Sequence, residues 1–382
     1  MGMKGFKGFE KDFSCGGKQC EENTTYEEYG EGCCYKGVMH FYEDPWEVLN
    51  HYDLVDGNGN LSEFAEVEAL GQVWNDGEKR ATNKIHVGEK LGLKGFLKAC
   101  IDFTLEKTNG TNLSGDSAQI GSSGDYAQIG SSGDYAQIGS SGDCAQIGSS
   151  GNYAKIGSSG YSAKIGSSGY YAQIGSSGDC AKIGSSGDST KSGSSGYSAQ
   201  IGSSGDCAQI GSSGDSAQIG SSGNCAQIGS SGNCAQIGSS GYSAQIGSSG
   251  NSAQIGSSGN SAQIGSSGNS AQIGSSGNCA QIGSSGDSAQ IGSSGNSAQI
   301  GSSGNCAKIN STGEDAVIMC AGRRSKAKGK KGSWITLAEW VKDEEKGRYV
   351  PICVKTERVD GEKIKEDTYY TLKNGEFSEV EE

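Results

Sequence analysis

A nine-residue unit recurs from Asp116 to about Ile318 and constrains the fold more than any other feature of the chain. The unit reads G-S-S-G-[D/N/Y]-[S/C/Y]-A-[Q/K]-I. Of the 23 positions in its last column, 22 hold Ile, and Ala stands two residues earlier in the same 22 units. The exceptional unit carries Thr190 and Ser192. Two apolar columns therefore stay constant while the two columns before Ala vary, which indicates a buried face.

A period of nine fits a β-solenoid, in which each unit supplies one strand and one turn. Side chains along a strand alternate between faces, so Ala and Ile share one face and Gln lies on the other. The G-S-S-G segment supplies tight turns and residues that accept positive φ. Two units, or 18 residues, would close one flattened coil around Ile and Ala, and successive coils would stack about 4.8 Å apart. We expect a ladder of Tyr135, Tyr153 and Tyr171, amide ladders in the Asn columns, and a local bend, void or loosened coil at Ser192.

The composition divides the chain into three parts. We predict a small α+β globular domain over residues 1–112, the β-solenoid over 113–318, and a basic loop with a β cap over 319–382. The predicted fold class is mainly β. The strands and helices that we predict outside the array are Gly37–Tyr42, Ala65–Val73, Asn83–Val87, Trp46–His51 (helix), Leu93–Phe103 (helix), Trp334–Trp340, Tyr349–Glu357 and Asp367–Leu372.

Composition and charge exclude or disfavour several classes of protein. Only 2 Pro are present, which excludes a collagen. No apolar run approaches the length of a membrane span. A pI near 4.8 and a net charge of −13 disfavour a general nucleic-acid binder. No secretory signal is visible, so we expect a cytoplasmic protein whose 14 cysteines are mostly reduced.

Two groups of side chains are candidates for binding a partner. Exposed tyrosines form rigid amphipathic contacts, and the first half of the array is rich in them and also holds Lys155, Lys164, Lys182 and Lys191. The second group is a basic segment that could bind phosphate or an acidic surface. The alternatives are ladder stabilisation for the tyrosines and a solvated loop for the basic segment. The candidate residues are Tyr126, Tyr135, Tyr153, Tyr161, Tyr170, Tyr171, Arg323, Arg324, Lys326, Lys328, Lys330 and Lys331.

Other chemistry has weaker support, and we expect no cofactor and no metal. The glycine spacing is similar to that of calcium-binding nonapeptides, but the acidic residue comes one place early and is often neutral. An ice-binding surface would need more regular outward columns. The N-terminal cysteines fit no standard zinc spacing. Glu66 and Glu68 follow Lys36 in an order similar to the R…E-x-E signature of ADP-ribosyltransferases, although Lys replaces Arg.

Several segments together resemble an uncharacterised family of bacteriophages and gut bacteria. Its pattern is an N-terminal domain of unknown function, a nonapeptide (SAQIGSSGN) array and a C-terminal cap. The segments are Lys4–Lys7, Gly37–Pro45, Glu66–Gly71, the array itself and Arg324–Gly329. The resemblance implies a phage or prophage origin and supplies no catalytic residues.

We therefore favour a non-enzymatic protein of the host bacterial cytosol that binds a host protein and inhibits a defence factor. Nucleic acid would be contacted only through residues 323–331, no membrane is involved, and a homodimer is possible. The alternatives are a structural rod or spacer, an ice-binding-like surface, and an ADP-ribosyltransferase-like N-terminal domain.

Overall fold

The computed structural model describes residues 2–15, 17–32, 37–56, 59–107 and 115–381. The chain is mainly β: a β-solenoid of about 18 residues per turn with a small β-rich N-terminal domain and a C-terminal strand cap. It forms two compact units, Met1–Gln209 and Ile210–Glu382, so the division falls inside the repeat array. The domain boundaries at 112 and 318 remain predictions. No helix in the described ranges is both long and apolar enough to cross a lipid bilayer.

The N-terminal domain is built on a seven-stranded antiparallel sheet. Its strand order is β4-β9-β6-β1-β5-β8-β7, and β2 and β3 pair separately. Both predicted helices are present, whereas the sequence pattern had not indicated the first strand. The elements are β1 (Met3–Phe9), β2 (Ser14–Cys15), β3 (Lys18–Gln19), β4 (Thr24–Glu27), β5 (Met39–Tyr42), α1 (Pro45–Val48), β6 (Glu63–Ala69), β7 (Val73–Asp76), β8 (Lys79–Thr82), β9 (Lys84–Lys90) and α2 (Gly92–Lys107).

Two apolar clusters lie on opposite faces of this sheet. Alternation along β6 sends Phe64 into a cluster with Trp46 and Phe96, and Ala65 into a second cluster with Phe9. The rings of Phe64 and Phe96 stack at 3.8 Å between centroids. The first cluster therefore joins the sheet to both helices.

The array in the first unit consists of two parallel sheets whose strands alternate along the chain. Residues 18 apart are partners, as Ile120 and Ile138 show, so each coil contributes one strand to each sheet. Sheet A contains β10 (Gln119–Ser122), β12 (Gln137–Ser140), β14 (Lys155–Ser158), β16 (Gln173–Ser176) and β18 (Lys191–Ser194). Sheet B contains β11 (Gln128–Ser131), β13 (Gln146–Ser149), β15 (Lys164–Ser167), β17 (Lys182–Ser185) and β19 (Gln200–Ser203). The division between the units falls in β20 (Gln209–Ser212).

The second unit repeats this arrangement and ends in the cap, where each sheet is extended by an antiparallel hairpin. Sheet C contains β22 (Gln227–Ser230), β24 (Gln245–Ser248), β26 (Gln263–Ser266), β28 (Gln281–Ser284), β30 (Gln299–Ser302), β32 (Val317–Cys320), β34 (Trp334–Asp343) and β35 (Arg348–Arg358). Sheet D contains β21 (Gln218–Ser221), β23 (Gln236–Ser239), β25 (Gln254–Ser257), β27 (Gln272–Ser275), β29 (Gln290–Ser293), β31 (Lys308–Ser311), β33 (Lys326–Lys328), β36 (Tyr369–Lys373) and β37 (Glu376–Val380). The predicted basic loop is therefore partly a strand, because Lys326–Lys328 continues the coil below it.

Three columns of side chains fill the interior of the coils. The two predicted columns are buried: the Ala side chains from Ala136 to Ala316 are at most 1% exposed, and the Ile side chains from Ile129 to Ile318 at most 5%. The third column, which sequence reasoning missed, is the first Ser of each G-S-S-G. The Gly160 N–H donates to the Ser158 hydroxyl at 3.3 Å, as in several equivalent turns, so this Ser tightens the turn from inside.

The irregular unit keeps the coil intact. Ser192 is buried opposite Ile174 and stays in register with it. The hydroxyl groups of Ser185 and Thr190 form a hydrogen bond of 2.8 Å. The Ser192 hydroxyl finds no hydrogen-bond partner within the described part of the chain. The defect is therefore a polar atom in the core, and strand pairing with β16 is not interrupted.

The glycines of the array are needed for a reason other than the expected positive φ. Positive φ falls on the second variable residue of some turns, such as Tyr135 at 62°, and on none of the described array glycines. Instead, the second Gly of G-S-S-G packs against the coil below: a Cβ on Gly268 would lie 1.7 Å from the Gly250 carbonyl oxygen. The coils stack so closely that only Gly fits at the second Gly position of G-S-S-G.

The N-terminal domain packs on the outer face of sheet B. A Cβ on Gly166 would lie 3.1 Å from the Trp46 ring, so the strand glycines leave room for large side chains. Lys164 Nζ donates to the Trp46 carbonyl at 2.9 Å, and Lys182 Nζ donates to that of Leu49 at 2.5 Å. The expectation that these two lysines lie beside the tyrosines as candidates for binding a partner is wrong, because they bind the N-terminal domain of their own chain.

Candidate functional site

The predicted tyrosines occupy two different edges of the first unit. Turns that precede sheet A strands form one edge, and turns that precede sheet B strands form the other, because consecutive units enter different sheets. We call the first the tyrosine edge, defined by the turn residues 116–117, 134–135, 152–153, 170–171 and 188–189. Tyr135, Tyr153, Tyr170 and Tyr171 lie on it, whereas Tyr126 and Tyr161 lie on the opposite edge.

The tyrosine edge carries the predicted ladder. The rings of Tyr135 and Tyr153 stack at 5.0 Å with an interplanar angle of 6°, and those of Tyr153 and Tyr171 at 5.1 Å and 10°. All three residues have φ between 57° and 62°. The side chains remain 55%, 44% and 51% exposed in chain order. The ladder is a preformed row of aromatic edges and hydroxyl groups facing outward.

Backbone and side-chain hydrogen bonds hold the turns of the ladder in place. The Tyr135 N–H donates to the Asn152 carbonyl at 2.8 Å. The Asn152 N–H donates to Asp134 Oδ1 at 2.7 Å, and the Tyr170 N–H donates to Asn152 Oδ1 at 3.0 Å. Each Asp or Asn side chain thus accepts a bond from the backbone of the next coil, which fixes the turns that carry the rings.

On the opposite edge the tyrosines stand apart. Tyr126 is 81% exposed. Tyr161 is exposed and interacts with Cys180, and this hydrogen bond raises the pKa of the Tyr161 hydroxyl. Neither residue takes part in the ladder, so the structure divides the six predicted tyrosines into a group of four and two separate side chains.

A cleft of about 800 Å³ opens beside the opposite edge, between the N-terminal domain and the array of the first unit. Its wall combines carboxylates with two cations. Arg80 Nε lies 2.8 Å from Glu43 Oε1, and Lys164 Nζ lies 3.6 Å from Glu47 Oε1. The lining residues are Glu43, Asp44, Glu47, Asn50, Glu78, Arg80, Phe103, Tyr126, Gln128, Cys144, Gln146, Ser162 and Lys164. Sequence reasoning missed this cleft, since its two walls are distant in the chain.

Asp44 has the most perturbed carboxyl group of the cleft. Burial raises its pKa to about 6, and the neighbouring Glu47 carboxylate acts in the same direction. The hydrogen bond from the Trp46 N–H at 2.8 Å favours the charged form and partly opposes this shift. Asp44 caps the N-terminus of α1 with this bond. Its position is therefore explained by folding, and its shifted pKa alone does not make it catalytic.

The predicted basic segment lies in the second unit and is not one surface. The Arg323 guanidinium stacks over the Tyr349 ring at 4.0 Å. Lys330 Nζ pairs with Asp367 Oδ2 at 2.6 Å. Lys326 and Lys328 approach the Tyr369 ring, while Arg324 and Lys331 are exposed to solvent. Sequence spacing could not show this division, because it depends on how the cap strands fold back.

The residues of the weak transferase signature lie outside the cleft. Glu66 and Glu68 occupy alternate positions of β6, where Glu66 is exposed and Glu68 Oε1 accepts from the Gly2 N–H at 2.9 Å. Lys36, Cys33 and Cys34 lie outside the described residues. Across the described ranges, no three His, Cys, Asp or Glu side chains are grouped so that they could hold a metal ion.

The comparisons with known proteins bear on the N-terminal domain only. Residues 3–99 match the family model of a domain of unknown function, DUF7666. Neither a curated protein nor a solved structure matches the chain. The match fits the expected N-terminal domain of unknown function and assigns no activity to it.

Proposed function

We propose that the protein is a non-enzymatic binding protein that contacts a macromolecular partner through the tyrosine edge. The observation that carries the proposal is the row of three parallel tyrosine rings, each about half exposed. Tyrosines supply large contact areas with few rotatable bonds and dominate many protein interfaces. A row at this spacing would contact an elongated segment of the partner.

The ladder reduces the entropic cost of binding. Each ring is restrained by its neighbour, and each turn by bonds such as that between the Asn152 N–H and Asp134. Ordering a flexible side chain at an interface costs about 0.5–1.5 kcal/mol. Because the stacked rings are already ordered in the free protein, binding of the partner should lose less side-chain entropy.

The charge beside the ladder favours a basic partner. Asp116, Asp134 and Asp188 occupy the first turn position on the tyrosine edge, and they outnumber the two exposed lysines that begin the adjoining strands, Lys155 and Lys191. The chain as a whole has a net charge of −13. Opposite charge on the partner would speed encounter and reject acidic competitors. We propose that the protein is of phage origin, acts in the host bacterial cytosol, and uses this edge to bind and inhibit a basic host defence protein.

The test is affinity capture from a bacterial lysate with the full chain and a triple variant, Tyr135→Ser, Tyr153→Ser and Tyr171→Ser. Ser occurs naturally in this column at Ser117 and Ser189 with the same positive φ, so the coil should tolerate it. We expect a basic protein to be retained by the unchanged chain and lost with the triple variant, measured by quantitative mass spectrometry.

The matched control is Tyr242→Ser, which removes an exposed tyrosine that takes part in no described ring stack. This variant should retain the captured protein in full. The proposal fails if the triple variant and Tyr242→Ser retain the same proteins in the same amounts.

A further inference from the structure

Four large apolar side chains are exposed together on the outer face of sheet C at its cap end. Val317 and Met319 of β32 are 45% and 53% exposed. Trp334 of β34 is 48% exposed and Val354 of β35 is 63% exposed. Val317 is the direct strand partner of Trp334. We call these four residues the cap face.

The strand register makes the cap face continuous. Thr336, two residues after Trp334, is the partner of Met319 on one side and of Thr356 on the other. The hydroxyl oxygens of the two threonines lie 2.9 Å apart, so both side chains point to the same face. Val354 takes the next outward position of β35, because side chains along a strand alternate. Three neighbouring strands therefore share one apolar surface.

The cap face is a departure from the repeat. From β22 to β30 the two outward positions of each sheet C strand hold Gln and Gly, as Gln299 and Gly301 do in β30. Their partners in β32 are Val317 and Met319, whereas the inward Ile318 is kept and fully buried. The two new side chains add nothing to the interior of the coil. Such a surface is stabilising only when it is removed from water.

The size of the cap face matches the apolar part of a dimer interface. Its exposed fractions amount to roughly 400 Å² of apolar surface, as much as the largest patch on a typical monomer. A stable interface buries about 800 Å² on each partner, and somewhat over half of that area is apolar. The surrounding polar atoms, such as those of Thr336 and Thr356, would supply the rest.

The charge of the cap favours a second copy of the chain as the partner. Residues 314–382 hold 14 basic and 15 acidic side chains, a net charge of −1, whereas the whole chain has a net charge of −13. Two copies of an acidic protein repel each other, and this repulsion is weakest where their nearly neutral segments meet.

We propose that the cap face packs against the cap face of a second copy and forms a homodimer with twofold symmetry. A twofold contact uses the same patch on both copies. Two sheets pack face to face about 10 Å apart, with the side chains of both faces between them. The contact does not depend on the tyrosine edge.

The experiment is sedimentation velocity of the full chain over a series of micromolar concentrations. We expect a species with twice the 39.1 kDa mass of the chain. The test variant combines Val317→Gln and Met319→Gly, which restores the residues of the preceding coils and should therefore fold. We expect it to weaken dimerisation at least about 100-fold, because each dimer loses four apolar side chains from the contact.

A second variant and a control accompany this measurement. Val354→Lys changes a different strand of the cap face and should also prevent dimerisation, because it buries an unpaired charge in the contact. The control Val341→Gln removes another exposed valine from β34, one that alternation places on the opposite face of the strand. It should change the dissociation constant of the dimer less than twofold.

Two results would overturn the proposal. In the first, the unchanged chain sediments as a monomer at every concentration, and the cap face is then left for a different protein. In the second, the dimer persists when Val317→Gln and Met319→Gly are combined. Because β32 lies inside sheet C and β35 is its last strand, such a dimer would form by pairing at the sheet edge.

Discussion

Asp44 shows at the scale of one residue how a folding role and a shifted pKa are linked. Its carboxylate caps α1 by accepting from the Trp46 N–H, and the same position leaves it partly buried in the wall of the cleft. Burial raises the pKa of this carboxyl from 3.8 to about 6. The folded state therefore binds the proton more tightly than the unfolded state, and stability falls as the pH rises from about 4 to about 6.

Asp44→Asn should remove this dependence. Asn is as good a helix cap as Asp, so the bond to the Trp46 N–H can be kept. We expect the variant to match the unchanged chain near pH 4 and to be more stable by about 1–3 kcal/mol at pH 7.5, since one pKa unit corresponds to about 1.4 kcal/mol. The measurement is urea unfolding at both pH values.

Asp143→Asn is the control for that experiment, because Asp143 is exposed and the equivalent turn position is Asn in other units, such as Asn152. Because the side chain is exposed, this variant should change the free energy of unfolding much less than Asp44→Asn at pH 7.5. If the free energy of unfolding of Asp44→Asn exceeds that of the unchanged chain by the same amount at both pH values, the prediction is wrong. Ionisation of the Asp44 carboxyl would then not destabilise the folded state.

At the scale of the elements, the repeat allowed the strands, their pairing distance and two of three interior columns to be predicted. The reason is that strand alternation and a fixed nine-residue period place Ala and Ile on the same face of every strand. The Ser column was missed because G-S-S-G was interpreted as a turn, although its first Ser, such as Ser158, belongs to the strand and lies two residues after Ile, on the same face. The Asn columns were predicted to form amide ladders. Asn269 Oδ1 instead accepts from the Asp287 N–H at 2.9 Å.

The two glycines of each unit should respond differently to substitution. Gly268→Ala would place a Cβ 1.7 Å from the Gly250 oxygen, whereas Gly265→Ala meets nothing within 4 Å. We expect Gly268→Ala to cost at least about 3 kcal/mol, because the coils must separate or distort. Gly265→Ala should be neutral or slightly stabilising, since Ala loses less entropy than Gly in a strand. The measurement is the thermal unfolding midpoint of both variants. If the two substitutions lower this midpoint equally, the steric explanation is wrong.

At the scale of the whole molecule, which surfaces of the first unit are covered could not be predicted from the local sequence pattern. The N-terminal domain packs on sheet B through contacts between residues more than 100 positions apart, such as Lys164 with Trp46. Lys155 and Lys164 come from consecutive units and are indistinguishable by local pattern. Lys164 is buried under the domain, whereas Lys155 is exposed on sheet A. The same ambiguity hid the cleft, since its two walls come from the domain and the array.

This pair of lysines tests the packing of the domain directly. Lys164→Met removes the donor to the Trp46 carbonyl and the ion pair with Glu47, leaving a buried carbonyl without its bond. A loss of this kind costs about 1–3 kcal/mol. Hydrogen exchange should therefore accelerate about 5- to 100-fold in α1 and in β13 and β15, while the second unit is unchanged. Lys155→Met removes the same charge from sheet A and should leave exchange in these strands unaltered. If both variants exchange alike, the buried lysine contributes nothing to holding the domain on its sheet.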